Sequence, residues 1–131
     1  YYGYGPYESY SDKHRASWVD RFDTTVDDMF EDYVFPQENG SHYNCQYASV
    51  GNLYAKGKKP FSFQASRYSE KELDEKAHNF ELVPSDGIYV ALDYKQSGIG
   101  SNSCGPRLAE KYQLREEKIE WEISIRFDNK N

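Results

Sequence analysis

Residues 119–127 read Ile-Glu-Trp-Glu-Ile-Ser-Ile-Arg-Phe, an unbroken alternation of apolar and polar side chains. Successive side chains of a β-strand point to opposite faces of the sheet. One face would therefore carry only the apolar residues Ile119, Trp121, Ile123, Ile125 and Phe127. This pattern predicts a strand with one face buried and the other in water, which is typical of an antiparallel sheet.

Shorter stretches repeat the same alternation on both sides of turn signals. The turn signals are Asn39-Gly40 and Asp86-Gly87. Apolar residues recur at every second position in three stretches, Tyr43, Cys45 and Tyr47, then Phe61, Phe63 and Ala65, then Ile88, Val90 and Leu92. A further short strand is predicted over residues 17–22. The fold class predicted from these patterns is mostly β, an antiparallel β-sandwich.

One short helix is predicted within this β-rich chain. Ser69 is a good N-cap, and Glu72 follows three residues later to complete a capping box. The helix is expected to run from Glu70 to His78. The first fifteen residues are rich in Gly, Pro, Ser and Tyr and are expected to form a long ordered loop.

Composition restricts the function classes. The chain has 131 residues, a net charge of −6, and 17% aromatic residues that include 13 Tyr. Its core is therefore expected to be aromatic, and its acidic character argues against nucleic acid as a partner. No apolar stretch approaches the ~20 residues that span a bilayer. Cys45 and Cys104 are expected to be reduced thiols of a cytoplasmic protein, without a zinc site.

Candidate chemistry is sparse. No spacing brings an acid, a base and a nucleophile together, so no catalytic residue is assigned. Glu8 and Glu38 lie in Gly/Pro-rich loops, where a carboxylate can either accept backbone N–H bonds or take part in catalysis. Four tyrosines near the start of the chain either form a stacking platform for sugars or pack against protein, namely Tyr2, Tyr4, Tyr7 and Tyr10.

Three motifs, in order, resemble one enzyme family. Residues 5–13, Gly-Pro-Tyr-Glu-Ser-Tyr-Ser-Asp-Lys, resemble the Gly-Pro-x-Glu-x-Tyr-x-Asp-Arg segment of family 2 β-galactosidases. Residues 33–40, Tyr-Val-Phe-Pro-Gln-Glu-Asn-Gly, are similar to their Tyr-x-x-Pro-Gln/Ser-Glu-Asn-Gly segment. Residues 98–106, Gly-Ile-Gly-Ser-Asn-Ser-Cys-Gly-Pro, resemble their Gly-Ile/Val-Gly loop that ends in Pro. Residues 61–69 also match the family's strand that leads into its short helix.

The resemblance implies that residues 1–131 are a single fragment, the C-terminal part of the family's last domain. That domain is a galactose-mutarotase-like β-supersandwich, of which this chain would be the second half. The enzymes retain configuration and hydrolyse terminal β-galactosides such as lactose. Their catalytic glutamates lie on a separate (β/α)₈ barrel, and their Mg and Na sites belong to that region. The fragment itself would be non-catalytic, without cofactors of its own.

The resemblance also identifies candidate substrate contacts. In some family members a loop of this domain reaches the mouth of the active site and carries a tryptophan. Here the corresponding position is Cys104, which has no stacking plane. The candidates for hydrogen bonds to a galactoside are Ser101, Asn102, Ser103 and Cys104. Lys13 stands where the family has an arginine, and a lysine cannot make the bidentate contact that an arginine makes to a carboxylate.

The partners expected from the sequence are the remainder of a β-galactosidase chain or its large subunit, with a galactoside at the domain interface. Half a sandwich leaves sheet edges uncovered, so the isolated chain is expected to form a homodimer. The alternatives are an autonomous carbohydrate-binding module and a pure interaction protein. The first predicts saturable sugar binding by this chain alone, and the second predicts none.

Overall fold

The computed structural model of the chain describes residues 1–100 and 106–128. These residues form one six-stranded sheet and one α-helix, α1, Glu70–Glu75. The strands are β1 Tyr2–Gly5, β2 Trp18–Arg21, β3 His42–Val50, β4 Leu53–Ser66, β5 Tyr89–Asp93 and β6 Ile123–Phe127. Every strand pairing is antiparallel, and the described part of the chain does not close into a barrel. The predicted class, an antiparallel β-sandwich type with one short helix, is confirmed.

Strand β4 is the central strand of the sheet. It has 14 residues, and the strand order is β2-β1-β3-β4-β5. Along one edge β4 pairs with β3. Along the other edge, its second half pairs with β5 and its first half pairs with β6. A single long strand therefore joins all the remaining strands into one layer.

The core lies on one face of this layer. Phe61, Phe63 and Ala65 are 1%, 2% and 3% exposed, as their alternation predicted, but Ser62 and Ser66 on the opposite face are buried as well, so that face is not in water here. Cys45, Ala48 and Ala55 belong to the same buried cluster, and Tyr1 and Met29 pack against it. The small residues allow the aromatic rings to lie close to the sheet, so the core is aromatic where most β-proteins use aliphatic side chains.

The alternation predicted for residues 43–47 is wrong. His42 and Cys45 are both buried, at 1% and 0% exposure, whereas Tyr43 and Tyr47 are only half-buried. Asn44 adopts a left-handed backbone with φ of 58°, and the β3–β4 register shifts on each side of Cys45. A β-bulge re-aims the side chains that follow it, so a strict period of two does not survive here.

The predicted terminal strand is shorter than its pattern. β6 begins at Ile123, and Trp121 lies before it, packed against Phe61 with ring centroids 6.5 Å apart. Ile125 is paired with Ala55 and so lies on the core side of the sheet, as residues directly opposite share a face. Ile125 and Phe127 are nevertheless 51% and 65% exposed. Nothing among the described residues covers this end of the core face.

The expectation of a loop over the first fifteen residues is wrong in part. Residues 2–5 form β1, between β2 and β3. Its sequence, Tyr-Gly-Tyr-Gly, lacks apolar alternation because Gly3 lies directly over Cys45. A Cβ on Gly3 would be 2.9 Å from the Cys45 Cα. The strand passes too close to β3 for a side chain at that position.

Helix α1 begins as predicted and ends early. The Glu72 amide donates to Ser69 Oγ at 3.0 Å, which confirms the N-cap. The Glu72 carboxylate accepts from the Val83 amide at 2.9 Å instead of returning to Ser69. The helix ends at Glu75 rather than His78, because the Glu81 carboxylate accepts the amides of Ala77 and His78. These bonds begin a 3₁₀ turn at Asn79–Glu81.

We predict that Gly40→Ala destabilises the fold more than Gly51→Ala. Both glycines have positive φ, 68° and 59°, so both substitutions carry left-handed strain of about 1 to 2 kcal/mol. A Cβ on Gly40 would also collide with the Met29 carbonyl oxygen, whereas Gly51 faces open space. Overpacking adds about 1 to 3 kcal/mol. Urea unfolding measures both variants, and equal losses would contradict the proposed collision.

Candidate functional site

The three sequence motifs converge at one end of the sheet. The first motif supplies Glu8, Tyr10, Asp12 and Lys13. The second motif runs from Tyr33 to Gly40, and the third begins at Gly98. Hydrogen bonds join the first motif to each of the others across 25 to 88 residues of sequence. Loop residues so far apart in sequence are brought together only by the tertiary fold.

Glu8 is the buried centre of the contact between the first two motifs. Its side chain is 3% exposed, and its Oε2 accepts the Gly40 amide at 2.9 Å. Its Oε1 accepts from both Lys13 Nζ and the Tyr33 hydroxyl. The interpretation of Glu8 as a loop carboxylate that pins a turn is confirmed. Lys13 makes a single-point contact to one oxygen, as expected for lysine in place of arginine.

The pKa of Glu8 reflects two opposed effects. Burial alone raises the pKa of a carboxyl group, because the charged form loses its hydration. The hydrogen bonds from Lys13, Tyr33 and Gly40 outweigh the burial and hold the pKa of Glu8 below its ordinary value of 4.5. Glu8 is therefore a charged anchor at neutral pH.

Glu38 has the opposite character, although it lies in the same region. Its Oε2 accepts the Tyr10 hydroxyl at 2.6 Å, and Tyr10 itself is only 2% exposed. Loss of hydration around the carboxylate raises the pKa of Glu38, and the nearby negative charges of Glu8 and Asp93 raise it further. Within the part of the chain that the structure describes, the Glu38 side chain makes no hydrogen bond to the backbone. It binds the Tyr10 hydroxyl and does not hold a turn.

Asp12 joins the first motif to the third. Its Oδ1 accepts the Ile99 amide at 3.1 Å, and its Oδ2 accepts the Gly100 amide at 3.0 Å. Gly98 has a φ of 80°, and any Cβ there would collide with the Asp12 carboxylate. The two glycines of the Gly-Ile-Gly sequence thus let the backbone approach one carboxylate closely.

The four predicted substrate contacts lie outside the described residues. The structure places both ends of the loop that carries Ser101, Asn102, Ser103 and Cys104. After the loop, the Gln113 side chain donates to the Leu108 carbonyl at 2.6 Å. The Leu114 amide donates to Ser97 Oγ at 3.0 Å and so ties the two sides together.

A cleft of about 480 Å³ lies between residues 94–96, which precede the loop, and residues 111–114, which follow it. Residues from before and after the loop line it, and they include Lys95, Gln96, Lys111 and Gln113. Three half-buried tyrosines also line the cleft, namely Tyr43, Tyr94 and Tyr112. Ring faces with nearby amide and ammonium donors can take a small polar molecule.

The N-terminal tyrosines mainly pack against protein. Tyr2 stacks on Tyr47 with ring centroids 6.0 Å apart, and Tyr4 stacks on Tyr43 at 5.8 Å. Tyr10 is buried, as described above. Tyr7 is the exception, with 59% exposure. Three of the four residues considered for a sugar platform are thus occupied with protein contacts.

Other site types receive little support from residues 1–100 and 106–128. No group of three or more His, Cys, Asp and Glu side chains gathers there to hold a metal ion. None of the helices in these ranges is long and apolar enough to cross a membrane. Cys45 is a buried free thiol, and burial raises its pKa to about 12, which leaves it unreactive.

The family resemblance of the motifs agrees with comparisons to known proteins. Residues 1–127 match the family model described as the beta galactosidase small chain. The chain belongs to the β-galactosidase small-chain family. A β-galactosidase of Actinobacillus pleuropneumoniae is 50% identical over 128 residues, 98% of this chain and 12% of that protein. A β-galactosidase of Staphylococcus xylosus is 43% identical, over 97% of this chain and 13% of that protein.

This small-chain family member therefore spans about 12% of the length of the curated relatives that it matches. A β-galactosidase of Vibrio cholerae is 33% identical over 96% of the chain. The resemblance identified from three motifs is confirmed along almost the entire sequence.

Sequence reasoning missed Asp12 and Tyr33 as contacts between motifs. Both residues match defined positions of the family motifs quoted above, and this match was the signal that could have identified them. Their roles depend on partners 87 and 25 residues away. His42 was also given no role. It is buried against the Tyr1 ring at 4.2 Å, and burial lowers its pKa to about 4, so it is neutral at pH 7.

We predict that Glu8→Gln lowers the free energy of unfolding by about 1 to 3 kcal/mol at pH 7. Because the pKa of Glu8 is lowered in the folded protein, its charge stabilises the fold above pH 4.5. This contribution is lost as the pH falls through the folded-state pKa. Urea unfolding at pH 7 and at pH 3 should therefore give a smaller difference between wild type and variant at the acidic pH.

Glu38→Gln is the matched contrast for this experiment. The raised pKa of Glu38 means that its charge opposes folding above its ordinary value of 4.5. A glutamine oxygen can still accept from Tyr10. The variant should equal or exceed the wild type in stability at pH 7. A loss as large as that of Glu8→Gln would contradict these opposite assignments.

Proposed function

We propose that this chain is a non-catalytic C-terminal part of a retaining β-galactosidase that hydrolyses terminal β-galactosides such as lactose. The proposal rests on how small a share of its relatives' length this chain matches. Nearly the whole chain matches β-galactosidases, yet it matches only 12% to 13% of their length. The catalytic glutamates, and the Mg and Na sites of the parent enzyme, are assigned to the rest of that protein.

The uncovered end of the core face supports a scaffold role. Ile125 and Phe127 lie on the core side of β6 and are more than half exposed. Trp18 and Ile88 are also exposed large apolar side chains, at 52% and 44%. Such residues are expected to be buried against another layer. We assign that layer to the remainder of the β-galactosidase chain or to its large subunit.

The loop between Gly98 and Pro106 is the proposed point of contact with substrate. Asp12 accepts the amides of Ile99 and Gly100 at the near end of the loop, and Ser97 accepts the amide of Leu114 from the segment that follows it. We propose that Ser101, Asn102, Ser103 and Cys104 offer polar contacts to a galactoside at the domain interface. A cytoplasmic location is also proposed, in keeping with the buried free thiol of Cys45.

The scaffold proposal predicts that the parent enzyme loses activity without this segment. A parent protein lacking residues 1–131 should hydrolyse lactose at a small fraction of the full-length rate, and this chain alone should show none. Addition of the purified chain in trans should restore activity. A truncated parent that keeps full activity would contradict the proposal.

The same exposed face provides matched variants for that experiment. Ile125→Asp places a charge on the core face of β6 and should reduce restoration by at least about tenfold, because the charge would be buried at the interface. Ser124→Asp places the same charge on the opposite, exposed face and is the control. Equal effects of the two variants would exclude this face as the docking surface.

The isolated chain is predicted to form a homodimer. An exposed apolar strand at a sheet edge favours pairing with a second copy. Light scattering at micromolar concentrations should give twice the 15.3 kDa mass of the chain. Ile125→Asp should shift the mass towards the monomer, and Ser124→Asp should not. A wild-type chain that stays monomeric over this range would exclude the dimer.

A further inference from the structure

We propose that the cleft between residues 94–96 and 111–114 binds a small phosphorylated sugar. We name it the lysine cleft, after Lys59, Lys95 and Lys111, which line it. The proposal goes beyond the proposed function and does not depend on it, since it requires neither a galactoside nor any residue between Gly100 and Pro106. The ligand chemistry follows from the charges, rings and amides that line the cleft.

The charge of the lysine cleft is opposite to that of the chain. The chain has 22 Asp and Glu against 16 Lys and Arg. Among the described residues that line the cleft, three are lysines and none is an aspartate or a glutamate. The lysines come from three separate segments, namely β4, the residues just after β5, and a 3₁₀ turn at Glu110–Tyr112. Three ammonium groups gathered at one concave surface attract an anion.

The three lysines differ in how much of their charge is already paired. Lys95 Nζ donates to the Glu116 carboxylate and lies 5.5 Å from the centre of the Tyr94 ring. Within residues 1–100 and 106–128, neither Lys59 nor Lys111 forms an ion pair. Lys59 and Lys111 therefore supply most of the positive charge that a ligand would meet.

A wall of lysines favours a phosphate group over a carboxylate. An arginine guanidinium matches a planar carboxylate with two parallel hydrogen bonds, whereas a lysine ammonium group acts as a compact point charge. No arginine is among the described residues that line the cleft. A phosphate monoester carries a charge of about −1.5 to −2 at pH 7 and three acceptor oxygens. More than one ammonium group can therefore bind it at once.

The other lining residues suit a sugar ring. Tyr43, Tyr94 and Tyr112 line the cleft with half-buried aromatic rings, on which the apolar face of a sugar ring can pack. Asn44 and Gln96 add side-chain amides, which can donate to and accept from sugar hydroxyls. The volume of about 480 Å³ lies towards the lower end for ligand sites, so a ligand of monosaccharide size fits.

Calorimetric titration of the full-length parent enzyme with glucose 6-phosphate tests the proposal. This probe is not a galactoside, so its binding is separate from the hydrolysis of lactose. Saturable binding is expected. Glucose and inorganic phosphate should each bind at least about tenfold more weakly, because each lacks one half of the contacts. Absence of saturable binding, or equal binding of glucose, would overturn the proposal. Tighter binding of AMP would overturn the assignment of the ring to a sugar.

Two neighbouring lysines provide a matched pair of variants. Lys59→Ala should raise the Kd for glucose 6-phosphate by about tenfold, and so should Lys111→Ala. Lys58 is not among the lining residues, and its exposed ammonium group pairs with Glu122 at 3.2 Å. Lys58→Ala removes the same charge one residue away and should leave the Kd within about twofold. Equal losses in Lys58→Ala and Lys59→Ala would reduce the effect to net charge and overturn the site.

A further variant separates the ring contact from the charge contact. Tyr112→Leu should weaken binding of glucose 6-phosphate and leave binding of inorganic phosphate unchanged, because it removes a ring and no charge. Raising the salt concentration from roughly 0.05 M to 0.5 M should weaken both probes, since exposed charges are screened. Equal effects of Tyr112→Leu on both probes, or binding that is independent of salt, would overturn the proposal. Thermal unfolding shows that each variant is folded.

Discussion

The organisation of this end of the molecule depends on one buried carboxylate. Glu8 receives the Gly40 amide, the Tyr33 hydroxyl and the Lys13 ammonium group, and it is almost fully removed from solvent. A buried carboxylate loses its hydration, and these three donors together compensate for that loss. Their arrangement fixes the first motif against the second.

The position of Asp12 follows from that arrangement. The turn that carries Asp12 is closed by Tyr10 and Lys13, and the side chains of these two residues end on Glu38 and Glu8. Three carboxylates at one end of the sheet therefore have three different tasks. Glu8 is a charged anchor, Glu38 secures a buried tyrosine, and Asp12 holds the backbone of a distant loop. Identical chemistry gives different roles because burial and hydrogen-bond partners differ.

The sheet shows how much of the fold a periodic pattern can predict. Phe61, Phe63 and Ala65 alternate and are buried as predicted, although Ser62 and Ser66 on the opposite face of β4 are buried too. The pattern failed at Asn44, whose left-handed backbone re-aims β3, and at Gly3, where strand contact leaves no room for a side chain. It also overestimated the burial of Ile125 and Phe127, which only a further layer would cover.

The sequence by itself determined the β-rich class, the capped helix, the aromatic core and the family, because these depend on local spacing and on motifs that can be read in order. Only the tertiary structure decided that Glu8 meets Tyr33 and Gly40, and that Asp12 meets Ile99 and Gly100. These contacts cross 25 to 88 residues. Local sequence carries no information on which distant amide a carboxylate will reach. That choice depends on the pairing of β1, β3, β4 and β5, which brings the ends of separate strands together.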